Sequence, residues 1–200
     1  MDNNITYLAN KYNLEIVDNN TLQGELFITD NDSYCIEISN ISRFPNSFPL
    51  VRELGGRIPQ KADRHIYPKE GYCCFTTPIK EKVLLNRHIK TLNDFIAEIV
   101  IKFFLNNSFY EINGKYATGE YSHGTMGIIE SYQEITKIKD INSLIVFLTM
   151  IIDGNKSDRN ERCLCNSGIK WKNCHLRIFE ELNLIEKSII KNDLDLIKKG

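Results

Sequence analysis

The sequence lacks any apolar run long enough to cross a bilayer. Its longest stretches, residues 96–105 and 144–152, are interrupted by Glu98 and Lys102 or simply too short, where a spanning helix needs about 20 residues. It also lacks an excess of either charge. The 25 Lys and Arg residues stand against 26 Asp and Glu, a formal net charge of -1, so nothing points to general nucleic-acid binding. Neither a Walker-type glycine-lysine loop nor a GxGxxG is present, and nothing in the chain is laid out to bind ATP or adenylate a carboxylate. The start, Met1-Asp2-Asn3-Asn4, is without the basic and then apolar layout of a secretory leader. The expectation is a cytoplasmic chain with no membrane span, held in a reducing compartment where its six cysteines stay out of disulfides. No internal repeat is visible.

What is present is an ordinary globular composition, 42% hydrophobic and 26% charged over 200 residues, enough for one well-filled domain and a small appendage. Residues 4–12 read as a short helix. Residues 22–29 and 34–40 alternate like half-buried strands joined by the turn Asp30-Asn31-Asp32-Ser33. Phe44-Pro45-Asn46-Ser47-Phe48-Pro49 is an extended crossing, because its two prolines cannot donate to a sheet, and residues 50–54 resume as a strand. Residues 55–78 are mostly irregular. Leu92, Phe95, Ile96, Ile99, Phe103 and Phe104 recur at helical spacing, which predicts a helix over 91–105 with Thr91 or Asn93 as its cap. Further helices are expected at 126–136 and 141–152. Residues 154–158 read as a linker, and 176–199 as one or two terminal helices.

The cysteines fall into three groups: Cys35 alone, Cys73 with Cys74, and Cys163, Cys165 and Cys174 with His175. Three thiolates and an imidazole within thirteen residues are a complete tetrahedral set for zinc. With no position left for water, such a site is structural rather than hydrolytic. Gly168 permits the tight return, and Lys170 and Lys172 offset the charge of three thiolates. The plainer alternative is three buried, inert cysteines. The run Cys163-Leu164-Cys165-Asn166-Ser167-Gly168-Ile169-Lys170-Trp171-Lys172-Asn173-Cys174-His175 closely resembles the SEC-C motif, a zinc knuckle found at the ends of many bacterial proteins. It departs at Asn166, where that family usually has glycine. Asn enters left-handed conformations more readily than most residues, so the backbone can accept it. The resemblance implies a docking or interaction module and defines no reaction.

A second resemblance spans residues 4–152. A strand, a proline-rich crossing, another strand, Arg57-Ile58-Pro59, His65, Gly71 and then Cys74-Phe75 follow the order of the ubiquitin-conjugating enzyme fold. In that family a meander of strands leads to a histidine, a glycine and, three residues later, the nucleophilic cysteine. The long helix from Thr91 also falls where the family places one. The resemblance implies an α+β fold, an antiparallel meander sheet with flanking helices, and Cys74 as nucleophile, with Cys73 the runner-up. If Cys73 points inward it is simply a small apolar residue, and Cys35, in a strand, is read that way outright. A thiol in an irregular segment near a histidine can be deprotonated and attack an activated acyl group. The thioester formed would pass to a lysine amine or to water.

The family's histidine-proline-asparagine triplet stands here as His65-Ile66-Tyr67, so the asparagine credited with oxyanion stabilisation is missing. His65 has two readings: acid-base work, or bracing of the loop through a backbone carbonyl. His123, in Glu120-Tyr121-Ser122-His123-Gly124-Thr125-Met126-Gly127, is either a proton-transfer group or a solvated loop histidine. The expected organisation is a conjugating-enzyme-like domain over 1–153, a linker over 154–160, the knuckle over 161–178 and a helical tail over 179–200. Relatives of this kind sit in antiphage (CBASS) operons beside a cyclic-nucleotide synthase. The resemblance therefore implies a protein partner of the cGAS/DncV-like nucleotidyltransferase kind, whose terminal glycine would be conjugated to a target. Two other readings stay open. One is a non-catalytic adaptor. The other, a knuckle that binds nucleic acid, rests only on Arg159, Arg162, Lys170, Lys172 and Arg177, a charge run that is more often a solvated face.

Overall fold

A computed structural model describes residues 4–117 and 122–199 of the chain. It divides into two compact units, Met1–Thr76 with Leu84–Glu120, and Thr77–Val83 with Tyr121–Gly200.

The first unit opens with α1 (Ile5–Tyr12). The Asn4 side chain caps it, accepting from the N–H groups of Thr6 and Tyr7 that a helix start leaves without partners. Asn13, in the left-handed region at φ 56°, turns the chain into β1 (Leu14–Asp18). With β2 (Thr21–Thr29), β3 (Asp32–Ser39) and β4 (Leu50–Glu53) it forms an antiparallel sheet in the order β1-β2-β3-β4. The period of two puts Leu22, Leu26 and Ile28 of β2, and Tyr34, Ile36 and Ile38 of β3, on one buried face. The same parity turns Cys35 outward. Cys35 is exposed, and its expected place in the core is corrected: a strand buries one face only, and its neighbours Tyr34 and Ile36 occupy that face.

Covering the sheet within this unit is the helical stretch α3 (Leu92–Asp94), a π-helical segment Phe95–Val100 and α4 (Ile101–Asn113). Thr91 caps it in a reciprocal box with Asp94, each side chain bonding the other's backbone N–H. Its apolar stripe, Phe95, Ile96, Val100 and Phe104, is fully buried, and Phe104 stacks on Tyr34 with ring centroids 4.6 Å apart. Arg57 ties the irregular segment after β4 to this frame. It pairs with Asp32 at 2.7 Å and Glu111 at 2.8 Å, and lies 3.9 Å over the Tyr34 ring. Pairs this accessible contribute about 0.2–1 kcal/mol each, so their main effect is to fix where the segment starts.

The second unit contains the start of α2 (Pro78–Arg87), then α5 (Thr125–Thr136), α6 (Ile141–Asp153), α7 (Leu176–Leu182) and α8 (Lys187–Ile197). Asp140 caps α6 by accepting from the Ser143 N–H, and Gly154 closes it at φ 71°, a conformation open to glycine at no steric cost. Leu144, Phe147, Leu148 and Ile151 of α6 are completely buried, together with Tyr132, Trp171, Leu182 and Ile190. The terminal helices thus complete this core. The expected division after residue 153 therefore differs from the observed units: α5 and α6 bury their apolar faces in one cluster with the knuckle and the tail. Two elements were not anticipated. β1 buries only Leu14, so it shows no alternation to read, and the apolar residues of α2 are divided between the two cores, Leu85 in one and Ile79 and Val83 in the other. Among the described residues no helix is long and apolar enough to cross a membrane.

One polar pair lies inside the second core. The Tyr132 hydroxyl donates to the Asp193 carboxylate at 2.9 Å, with Tyr132 wholly buried and Asp193 6% exposed. Burial holds the Asp193 pKa above its ordinary 3.8, against the opposing pull of the Tyr132 hydrogen bond. A carboxyl whose folded pKa exceeds its unfolded one stabilises the fold at low pH, and that contribution is lost as pH rises through the folded pKa. Asp193→Asn keeps an acceptor and removes the buried charge. We expect it to raise the melting temperature at pH 7 and to make no difference below pH 3.8, as read by circular dichroism across a pH series. A lowered melting temperature at pH 7 would mean the carboxylate is better paired than this.

Candidate functional site

The chain from Arg162 to Lys170 forms a small loop. Arg162 and Lys170 bridge in antiparallel fashion, the Cys163 N–H bonds the Ile169 carbonyl at 2.8 Å, and a 3-10 turn over Trp171–Asn173 delivers Cys174 and His175. The return needs two left-handed residues, Asn166 at φ 59° and Gly168 at φ 73°. Asn166 thus takes the conformation that glycine takes without strain, as its residue type allows.

Four ligand atoms converge as a result. The Sγ atoms of Cys163, Cys165 and Cys174 and a His175 ring nitrogen all lie within 4.8 Å of one another. His175 Nδ1 is 3.1 Å from both Cys163 Sγ and Cys174 Sγ, and Cys165 Sγ is 3.5 Å from Cys174 Sγ. A tetrahedron built on metal bonds of about 2.0–2.3 Å has edges of about 3.3–3.8 Å, so the donor set fits a single ion once its widest separation, up to 4.8 Å, closes by about 1 Å. The other ring nitrogen, Nε2, donates to the Thr136 carbonyl at 2.7 Å. That bond places the proton on Nε2 and leaves the Nδ1 lone pair facing the thiols, the outer support that metal-binding histidines commonly have. Thr136 is the end of α5, so the ligand ring is set by the helical core. The Trp171 and Phe147 rings flank it, at 6.5 and 5.7 Å between centroids. Burial pushes the Cys163 thiol up to about 12, so taking up a dication must displace thiol protons.

The other predicted residues lie in the first unit, with one exception. Residues 65–74 make a short bridged turn. The Cys73 N–H donates to the Val51 carbonyl of β4 and the Cys74 N–H to the His65 carbonyl, both at 2.7 Å, while Ile66 bridges Cys73. Gly71 closes the turn at φ 73°, where a Cβ would meet the Gln60 amide at 3.3 Å. Cys73 enters the core at 6% exposure, and burial pushes its thiol far above the ordinary range. Phe75 is held edge-on against Phe95 and Phe103, at 5.7 and 5.2 Å. With both neighbours turned inward, Cys74 is left partly exposed, and its thiol donates to the Tyr67 hydroxyl oxygen at 3.5 Å. The backbones of His65 and Cys74 are therefore brought together. The His65 ring itself lies against Tyr116 at 5.5 Å, and its backbone is left-handed, at φ 53°. Beside it the buried Arg64 donates to Asn107 at 3.0 Å and lies 4.1 Å over Tyr110, which pins the turn to α4. His123 is exposed just ahead of α5 in the second unit, and residues 120 and 121 of its run lie outside the described residues.

Two participants were missed in the sequence. The Thr136 carbonyl leaves no side-chain signal. Tyr67 was visible only as the residue standing where the expected asparagine was not.

Compared with known proteins, residues 159–177 match the model of the SEC-C motif. Nothing among curated proteins or solved structures matches the chain.

The cluster generates a direct prediction. The purified chain should hold one equivalent of metal by elemental analysis, and acidification or a strong chelator should remove it, because protons compete for the thiolates. Cys163→Ser should abolish binding and lower the melting temperature of the second unit. A metal-free chain with an unchanged melting profile in strong chelator would instead leave three inert thiols.

Proposed function

We propose that the SEC-C knuckle holds a structural zinc ion, and that the first unit is a ubiquitin-conjugating-enzyme-like module that carries acyl groups on Cys74. Three thiolates and an imidazole suit zinc better than harder cations, and four protein ligands fill its tetrahedron. Bound there, the ion would supply folding free energy to a loop too short for a core of its own.

The observation that carries the acyl-transfer reading is the opposite fate of two adjacent thiols. Cys73 is sealed in the core, while Cys74 is turned outward on a braced turn with a hydroxyl beside it. A nucleophilic thiol must be reachable and held still, and this segment supports both. The four-stranded antiparallel meander ahead of it and the long helix after it fit the same family resemblance. In this reading the acyl group is the terminal glycine of a protein, with a cyclic-nucleotide synthase of an antiphage operon as the partner. Activation of that glycine comes from a separate ATP-dependent enzyme. His65 braces the turn through its carbonyl, and the knuckle serves as a docking element.

The test is to present the full chain with a peptide ending in glycine, activated as a mercaptoethanesulfonate thioester, and to read the intact mass without reductant. The expected result is a thiol-labile adduct that Cys74→Ala abolishes and Cys73→Ser keeps. If the parent chain forms none, the fold serves as an adaptor that binds its partner without chemistry.

A further inference from the structure

We infer that the Tyr67 hydroxyl is the hydrogen-bond donor to the oxyanion formed at Cys74, an inference that rests on the acyl-transfer reading above. The hydroxyl oxygen stands 3.5 Å from Cys74 Sγ. In a tetrahedral intermediate the oxyanion is two bonds from that sulfur, so a hydroxyl at this distance comes within hydrogen-bond range when the acyl oxygen is turned to its side.

The placement is built into the turn. The Tyr67 N–H donates to the Tyr72 carbonyl at 2.9 Å, and the Tyr67 carbonyl accepts from the Gly71 N–H at 2.8 Å. One residue further on, Gln60 donates to the Pro68 carbonyl at 2.9 Å. Cys74 is fixed independently by its N–H on the His65 carbonyl and by the buried flanking residue Cys73. Hydroxyl and thiol thus meet because two anchored backbones cross, at a separation of seven residues. Tyr67 is 48% exposed, a setting in which a core-packing role does not account for the ring.

The step is a thioester exchange. Cys74, having released its proton to solvent, attacks the carbonyl carbon of the glycyl thioester through sulfur. The carbonyl π pair moves onto oxygen, where Tyr67 donates its hydrogen bond. When the carbonyl re-forms, the bond to the incoming group's own sulfur breaks and mercaptoethanesulfonate leaves as its thiolate. Nothing is oxidised or reduced.

A donor in an enclosed oxyanion hole is worth a factor of about 100–1000 in rate, and water competes at an open site, so the expected loss here is about tenfold. The experiment compares the full chain with Tyr67→Phe in two reactions at Cys74. One is acylation by the glycyl-peptide mercaptoethanesulfonate thioester, followed by intact mass. The other is alkylation by iodoacetamide, followed by peptide mapping, in which iodide is displaced and no oxyanion forms. The expected result is acylation slowed about tenfold or more with alkylation unchanged. Equal acylation in the two proteins overturns the inference and leaves the acyl-transfer reading standing. A matching fall in both reactions also overturns it, because Tyr67 would then be acting on the thiol rather than on the oxyanion. Failure of the parent chain to acylate while Cys74 still alkylates sinks the acyl-transfer reading, and this inference with it.

Discussion

The hydrogen bond from His175 Nε2 to the Thr136 carbonyl is the contact on which the second unit turns. A carbonyl at the end of a helix has no partner within that helix, and left buried it would cost about 1–3 kcal/mol. His175 satisfies it, and by doing so fixes the tautomer that points Nδ1 at the thiols of Cys163 and Cys174. One bond thereby joins a helix end, a ring orientation and a metal-ligand set. Phe147 and Trp171 lie against the same ring and Phe179 packs on both of them, so the ligand loop is continuous with a hydrophobic core. A metal ion held by these ligands would for that reason be coupled to the helix packing of this unit.

The first unit meets a comparable requirement chiefly with main-chain bonds. Cys73 pairs with Val51 of β4, and extended backbone alternates its side chains, so burying Cys73 obliges Cys74 to face the other way. The turn that precedes it bends sharply enough to need a glycine at Gly71 and a left-handed backbone at His65. Histidine is among the residue types that accept that conformation most readily. Its backbone and its ring are both committed to holding the turn, the carbonyl to Cys74 and the ring to Tyr116.

Much of this was legible in the sequence wherever one local rule decided the outcome. The period of two gave β2 and β3, and helical spacing gave the buried stripe from Phe95 to Phe104. The ligand spacing gave the cluster of Cys163, Cys165, Cys174 and His175. What was not legible depended on contacts distant in the chain. β1 holds its place by pairing with β2 rather than by its own pattern, with Ile16 and Val17 exposed. The grouping of α5 and α6 with the tail is a matter of which faces are covered, and a hydrophobic face does not name its cover. Cys35 shows the limit within a single strand: its residue type favours burial, and register overrides that preference.

Six cysteines in one chain raise the question of which can do chemistry, and exposure alone does not answer it. Cys35 is more exposed than Cys74, yet an exposed thiol meets only the requirement for alkylation. Acyl transfer also needs a place for the negative charge that develops on oxygen, and that charge is better met by a donor already in position than by one that must be recruited. Cys163, Cys165 and Cys174 are engaged with one another and with His175, and a bound cation would occupy the lone pairs a nucleophile needs. Cys73 is closed off by burial. Cys165 and Cys174 are partly exposed too and share a hydroxyl, Ser167 Oγ at 3.1 and 3.5 Å, but both belong to the ligand cluster. Of the three cysteines outside that cluster, Cys74 combines access, a braced backbone and a hydroxyl at 3.5 Å. That combination sets it apart from Cys35 and Cys73, and its place outside the ligand cluster sets it apart from Cys163, Cys165 and Cys174.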